Sequence, residues 1–339
     1  MKRPLPELNK KPGVYYALTP EGVELPIVDV TNPAFVLSIT PADQQDRVRA
    51  FIEERQRFAR LPKIIQNLFL RVMLHGSALG RGIRQSRGSF MSGTDTYLLK
   101  LGPEMLGNTY AKPIDRKIAA SLPALGVRLR MQDVAQIMSD CLLDRLLSDA
   151  LRPLHFLNIA GGPAIDSLNA LILLNQKAPN ALARRTISIE VLDLDDTGPR
   201  FGESALQALS EKGAPLHGLR CTFRHIRYNW ANHADLHSLL KELLDSNALT
   251  ICSSEGGLFE YGSDQEILAN LRALRASQTV FAVAGSVTRA DEATQLLHQP
   301  AGAAVICRGL PVFNALLQQT GWRVARVIER PFSDHVLLT

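Results

Sequence analysis

Three stretches of the 339-residue sequence combine residue types that can do chemistry. The first is Ala160-Gly161-Gly162-Pro163, which follows the apolar run Leu154 to Ile159 and precedes Ala164 to Leu174, where Leu168, Leu171 and Ile172 recur at helical spacing. A strand, a Gly-rich turn and a helix in that order put unhindered backbone and free N–H groups at one point, which is where an open α/β sheet holds a ligand. The same residues also suit a plain strand-to-helix turn. The second stretch is the β-branched run Thr186 to Asp195, which closes in Asp193 and Asp195 with Asp196 behind them. The third is Ser253-Ser254-Glu255-Gly256-Gly257, continuing through Glu260 and Tyr261. Glu255, Glu260 and Tyr261 can accept a proton or orient a substrate; the bland alternative is a loop carboxylate facing water or a packed phenol. His225 is a further candidate base or a strand-end histidine. His233 and His237 stand four apart, so a helix would put both on one face, but no third ligand accompanies them and Asn232 to Asp235 also reads as a helix start. No metal is assigned.

These residues need a scaffold, and the chain from Leu151 supplies strands alternating with helices. After the strand before Gly161 come Thr186 to Asp195, a helix over Glu203 to Ser210, a strand over Arg220 to Ile226 and a helix over Ala234 to Leu244. Ala248 to Cys252, a helix over Gln265 to Leu274 and a strand over Thr279 to Ala284 continue the rhythm, which predicts a parallel sheet wound on both faces. Trp322 to Ile328 and His335 to Leu338 lie too close together for a helical crossover, so they pair as an antiparallel hairpin.

Residues 1–150 read differently. A β-hairpin is expected within 13–30, around the turn Thr19-Pro20-Glu21-Gly22. Thr40-Pro41-Ala42-Asp43 is a helix-start signal for a helix towards Arg57. Ile64, Ile65, Leu68, Phe69, Val72 and Met73 mark an amphipathic helix after Pro62, Gly76 to Ser92 reads as a Gly-, Ser- and Arg-rich loop, and a long helix is expected from about Met131 to Leu151. The result is a mainly helical N-terminal cap or lid (1–150) on an α/β domain (151–339).

Composition narrows the class. A 46% hydrophobic chain can bury a large core. No uninterrupted apolar stretch is long enough to span a membrane, and Met1-Lys2-Arg3-Pro4 does not lead into a signal-peptide core, so a cytoplasmic protein is expected. Cys141, Cys221, Cys252 and Cys307 form no Cys-x-x-Cys pair and read as free thiols. Net charge is +5, and no acid falls between Glu54 and Asp95, but aromatic residues are not interleaved there as nucleic-acid stacking requires. Nothing points to a homo-oligomer.

The order strand, Gly-rich turn, strand ending in Asp193, strand ending near Asn229 and terminal antiparallel hairpin resembles the class I S-adenosylmethionine-dependent methyltransferases over about Leu151 to Thr339. Ser254 to Tyr261 is similar to the Glu-Gly-(apolar)-Tyr segment of the leucine carboxyl methyltransferase-like and small-molecule O-methyltransferase branch. Where that family has acid-x-Gly-x-Gly-x-Gly, this chain has Asn158, Ala160, Gly162 and Ala164, so small size is kept. The resemblance implies a Rossmann-like, seven-stranded, mostly parallel sheet with an antiparallel last strand, and S-adenosyl-L-methionine as cofactor. It places Gly161 and Gly162 beside the methionine end, Asp166 on its ammonium, Asp193 on the ribose hydroxyls, Asn229 on the adenine and Tyr228 or Trp230 against the ring, with Ala160 and Ser254 also among the cofactor-binding residues. It also implies in-line methyl transfer to a small acceptor, with O-methylation and an acidic acceptor favoured because of the arginines of the N-terminal part: Arg81, Arg84, Arg87 and Arg116, with Lys117, Tyr97 and Tyr110. A non-catalytic cofactor-binding protein on the same scaffold and an NAD(P)-dependent oxidoreductase are the competing readings, although Gly161-Gly162-Pro163-Ala164 is not the dinucleotide fingerprint.

Overall fold

The computed structural model of the chain describes residues 10–66, 68, 76–85, 91–107, 110, 112–148, 151–298 and 304–339. β1 (Tyr16–Leu18) and β2 (Glu24–Pro26) form the expected hairpin. Its second strand stops at Pro26, whose ring nitrogen carries no proton for the ladder.

All other strands join one sheet. β3 (Leu154–Ile159), β4 (Thr186–Asp193), β5 (Arg220–Arg227), β6 (Leu249–Ser254), β7 (Val280–Thr288), β8 (Val324–Glu329) and β9 (Ser333–Leu338) lie in the order β5-β4-β3-β6-β7-β9-β8. From β5 to β7 every pairing is parallel, and β9 runs antiparallel between β7 and β8. The fold class is therefore the seven-stranded, mostly parallel α/β sheet expected. Alternation along the strands sends Phe156, Ile189 and Val191 to one face and Leu157, Ile159 and Leu192 to the other. The second face packs on the helices Ala234–Asp245, Asp264–Ala276 and Gly309–Leu317 through Leu240, Leu271 and Phe313.

The first face is covered by the helices Ile165–Lys177 and Thr197–Ser210 together with chain from before Leu151. The helix Leu122–Ser148 begins nearer Ser121 than the apolar spacing suggests, because Pro123 in its first turn needs no hydrogen-bond acceptor for its nitrogen. Its Val134, Ile137, Met138 and Leu142 share one buried cluster with Phe156, Ile187 and Ala284 of the sheet. Tyr97 and Leu98 of the helix Gly93–Leu101 belong to that cluster too. The cap and the sheet thus have a common core.

One N-terminal expectation needs correction. Gly76 to Ser92 is not all loop: Ala78–Gln85 is helical, with Ser77 Oγ accepting the Gly80 N–H at 2.8 Å and Leu79 buried, and its composition hides that cap. Residues 86–90 lie outside the described residues, as do Phe69, Val72 and Met73 of the expected amphipathic helix. Ile64, Ile65 and Leu68 from the same pattern are 81%, 48% and 60% exposed. The helix Pro41–Ala59 has its Thr40/Asp43 capping box. Among the described residues no helix is long and apolar enough to cross a membrane.

His155, near the start of β3, gives the fold a pH dependence. Burial lowers its pKa from 6.5 to about 4, and its Nδ1 has no hydrogen-bond partner. Glu190 stands 3.9 Å away, beyond hydrogen-bond reach, and burial favours its neutral form, so it offers little compensation. Between those two pH values the unfolded chain takes a proton that the folded chain refuses, so stability falls on acidification by about 2 to 3 kcal/mol from this group. Urea unfolding at pH 7 and pH 4.5 should show a smaller acid loss in His155→Leu than in the parent. Equal losses would mean that the folded imidazole titrates normally.

Candidate functional site

The Gly-rich turn leaves β3 in left-handed backbone: Ala160, Gly162 and Ala164 have φ of 55, 52 and 50°. The two alanines thus adopt the conformation that glycine takes without cost, and each loses about 1 to 2 kcal/mol in doing so. The turn keeps its shape in spite of its sequence, closed by the Ala164 N–H on the Gly161 carbonyl at 2.9 Å. Ala160→Gly is expected to raise stability by about 0.5 to 1 kcal/mol, since its methyl is only half-buried and its strain is relieved. A lower urea midpoint for that variant would show that the methyl's contact with Gly257 outweighs the strain.

Under the turn lies a buried polar cluster. An added Cβ at Gly161 would overlap the Asn158 carboxamide, so only glycine fits. Asn158 Nδ2 donates to Asp166 Oδ1 at 2.9 Å and to Ser167 Oγ at 3.0 Å. Asn158 Oδ1 and Asp166 Oδ2 are buried and receive no hydrogen bond of good geometry, although the Ser253 hydroxyl stands close enough to Asp166 to favour its ionised form. Burial, and then the Glu255 carboxylate, raise the pKa of Asp166. Two unsatisfied acceptors beside the glycine turn are an arrangement that a ligand cation or N–H donor completes.

Asp193 ends β4 against the turn. Its Oδ2 accepts the Gly162 N–H at 2.9 Å and its Oδ1 the Asp195 N–H at 3.0 Å. Asp195 is engaged elsewhere: its carboxylate accepts from Thr197 Oγ1 at 2.8 Å and from the Gly93 N–H at 3.1 Å. That last bond docks the N-terminal helix Gly93–Leu101 on the turn. Backbone approach there is close, since an added Cβ at Gly198 would stand 2.9 Å from the Gly162 Cα and one at Gly162 would stand 3.1 Å from the Gly93 Cα.

After β5, Tyr228 is buried with its hydroxyl on Asn270 Oδ1 at 2.6 Å, while Trp230 is half-buried. Both line the cavity described below. Asn229 is exposed, and its Oδ1 accepts the Ala231 N–H at 3.0 Å, an Asx turn that aims the flanking aromatics. His225 bonds the Asp193 carbonyl through Nε2 at 3.0 Å, so it braces the strand end.

The acids of the third stretch are tied together. Glu255 is paired with Lys100 and accepts from Arg130 Nε at 2.6 Å. Arg130 Nη1 donates to Glu260 at 2.9 Å, and Ser286 Oγ donates to the same carboxylate at 2.8 Å. Gly256 has φ 74°, and a Cβ there would collide with the Arg130 guanidinium lying over it. Burial raises the Glu255 pKa, but Lys100 and Arg130 outweigh it and hold the carboxyl below its usual range. A carboxylate held ionised in this way has a weak affinity for a proton. Tyr261, pushed up to about 12 by burial and then Glu260, stays a phenol at neutral pH. Ser254 Oγ donates to the Ile159 carbonyl at 3.1 Å and accepts the Leu258 N–H at 2.9 Å, which fastens the loop to the end of β3.

A single cavity of about 280 Å³ joins these parts. It runs from Gly161, Gly162, Asp193 and Trp230 past Glu255 and Glu260 to Thr288, Pro331 and Ser333. Among the described residues the lysine and arginine that line it are Lys100 and Arg130, which the sequence pattern did not single out. Their signal was weak: each lies inside a helix amid apolar neighbours, where position i to i+3 geometry is visible but the partner acids are more than a hundred residues away. Of the basic and aromatic residues first proposed for the lining, Arg81, Arg116 and Lys117 are exposed, Arg87 lies outside the described residues, and Tyr97 is a core residue whose hydroxyl donates to the Pro26 carbonyl at 2.6 Å. Among the described residues no group of three His, Cys, Asp or Glu could hold a metal.

No family model matches the sequence, and no curated protein does. Among solved structures, an O-methyltransferase family protein from Burkholderia thailandensis is similar at 14% identity and a TM-score of 0.40, over 68% of this chain and 60% of that one. The chain therefore spans less than two thirds of that protein's length. The DszA carbon methyltransferase is similar at 13% identity and a TM-score of 0.42, over 84% and 68% of the two chains. Human N-acetylserotonin methyltransferase, in complex with SAM, is similar at 12% identity and a TM-score of 0.38, over 90% and 72%.

Proposed function

We propose that the chain is an S-adenosylmethionine-dependent methyltransferase that methylates an oxygen of a small, mostly apolar acceptor. The observation that carries this reading is the pair of buried acceptors, Asn158 Oδ1 and Asp166 Oδ2, directly beneath Gly161, which lines the cavity together with the Asp193 carboxylate at the next strand end. An ammonium suits the first and a vicinal diol the second, and S-adenosylmethionine carries both. When bound, this cofactor supplies a methyl group already activated on a sulfonium. The protein then has little covalent work to do beyond alignment and exclusion of water.

On this reading Asp166 holds the ammonium, Asp193 orients the ribose, and Tyr228 and Trp230 flank the adenine. The N-terminal helix Gly93–Leu101 closes the cavity through Thr96, Leu99 and Lys100. Lys100 and Arg130, the described lysine and arginine that line the cavity, are both neutralised by Glu255 and Glu260, which favours an uncharged acceptor over the acidic one first expected. Met91, Val127, Leu297 and Phe332 make the acceptor end apolar.

Calorimetry with S-adenosylmethionine, S-adenosylhomocysteine and NADH tests the reading. The two adenosyl compounds should bind and NADH should not. Binding of NADH alone would make the chain an oxidoreductase, and binding of none of the three would remove the cofactor assignment.

A further inference from the structure

At the far end of the same cavity stands a second constellation that methyl transfer does not use. Ser333 and His335 begin β9 on one face, two residues apart, and Asp133 reaches them from the helix Leu122–Ser148. Ser333 Oγ is 3.0 Å from His335 Nε2, and His335 Nδ1 is 2.9 Å from Asp133 Oδ2. Asp133 is kept ionised by Arg330, whose Nε and Nη2 donate to its two oxygens at 2.7 and 3.1 Å. An ionised carboxylate can only accept, so Nδ1 of His335 carries the proton. Nε2 is then the bare nitrogen, and the Ser333 hydroxyl donates to it.

His335 is fully buried, whereas Ser333 lines the cavity. Thr288, its partner across the β7–β9 ladder, lines the cavity as well. Cross-strand partners project from the same face, so a hydroxyl donor stands next to the nucleophile. Serine, histidine and aspartate in this order of contacts, with the serine facing a cavity, define an acyl-transfer centre by geometry whatever their order in the chain.

We infer that Ser333 is an activated nucleophile that hydrolyses small, uncharged carboxylic esters, with His335 as its general base and Asp133 as the positioning residue. Ser333 Oγ bonds to the acyl carbon while its proton passes to His335 Nε2, and the ester C–O bond breaks as the leaving alcohol takes that proton. Water then repeats the sequence on the acyl-serine: its proton goes to His335, its oxygen to the acyl carbon, and the carboxylic acid leaves as Ser333 regains its hydrogen. Pro123, Val127, Pro331 and Phe332 around this end call for a short apolar acyl or alkyl group.

The test is covalent labelling of the full-length protein with diisopropyl fluorophosphate, the modified peptide being located by mass spectrometry. One diisopropylphosphoryl group on Ser333 is expected, fluoride being the leaving group, with none in Ser333→Ala and labelling slower by about a hundredfold or more in His335→Gln, as loss of a general base requires. Absence of an adduct on Ser333 in the parent protein overturns the inference. So does labelling of His335→Gln at the parent rate with the fold intact by circular dichroism. If His335→Gln does not fold, acetylation of Ser333 in the parent by p-nitrophenyl acetate decides instead: acetyl-Ser333 sustains the inference and acetyl release without it refutes it. S-adenosylmethionine enters neither assay, so this centre and the methyltransferase reading fail separately.

Discussion

Replacing Arg130 by methionine is expected to lower the free energy of unfolding by about 3 to 5 kcal/mol, the range seen when one partner of a buried ion pair is removed. The side chain of Arg130 is 11% exposed, and those of Glu255 and Glu260 are 2% and 8% exposed. Without the guanidinium, Glu255 keeps Lys100, but among the described hydrogen bonds the Glu260 carboxylate keeps that from the Ser286 hydroxyl alone. The double variant Arg130→Met, Glu260→Gln should therefore recover part of the loss, and urea unfolding of both variants measures it. A loss below about 1 kcal/mol would mean that water replaces the arginine, the behaviour of a surface pair. The network also has a pH window. Because Glu255 is held below its ordinary 4.5, its contribution is complete above that value and is lost as pH falls through its folded pKa.

Much of the sheet was legible because its signals are local. Each strand is a short apolar or β-branched run bounded by turn residues, and the spacing of the last two strands forces an antiparallel hairpin. The site was less legible, for reasons that differ by residue. Ala160 and Ala164 look like the loss of a glycine turn, yet tertiary packing holds both in left-handed backbone and the turn survives. Glu255 and Glu260 were visible as acids after a strand, but their partners Lys100, Arg130 and Ser286 come from three other elements, and pairing over such separations leaves no periodicity to read. Asp133, Ser333 and His335 were silent for the same reason: two lie at the start of a strand and the third sits inside a helix about two hundred residues earlier. Ile64 and Leu68 show a limit of another kind: helical spacing marks a face as apolar without saying what covers it, and both are exposed.

Asp193→Ala is expected to weaken binding of S-adenosylmethionine by tens-fold or more. A carboxylate has about four acceptor positions, and here backbone N–H groups of Gly162 and Asp195 use one on each oxygen. The others are left for the two ribose hydroxyls of the proposed cofactor, in the cavity that Asp193 lines. Hydrogen bonds to a charged group contribute about 1.5 to 3 kcal/mol, and each 1.4 kcal/mol is tenfold in affinity. Burial raises the pKa of Asp193, and the bonds from Asp195 and Gly162 oppose that rise, so binding both hydroxyls would further favour the ionised form. Asp193→Asn separates two contributions. Its carboxamide keeps one acceptor oxygen, but its N–H₂ cannot accept from Gly162 or Asp195, so it should fall between the parent and the alanine variant. Asp195→Ala is the control: it removes the Thr197 and Gly93 contacts that cap one helix and dock another, so it should cost stability in urea more than cofactor affinity in calorimetry. An Asp193→Ala protein with an unchanged dissociation constant would move the ribose to Asp195 or remove this contact altogether.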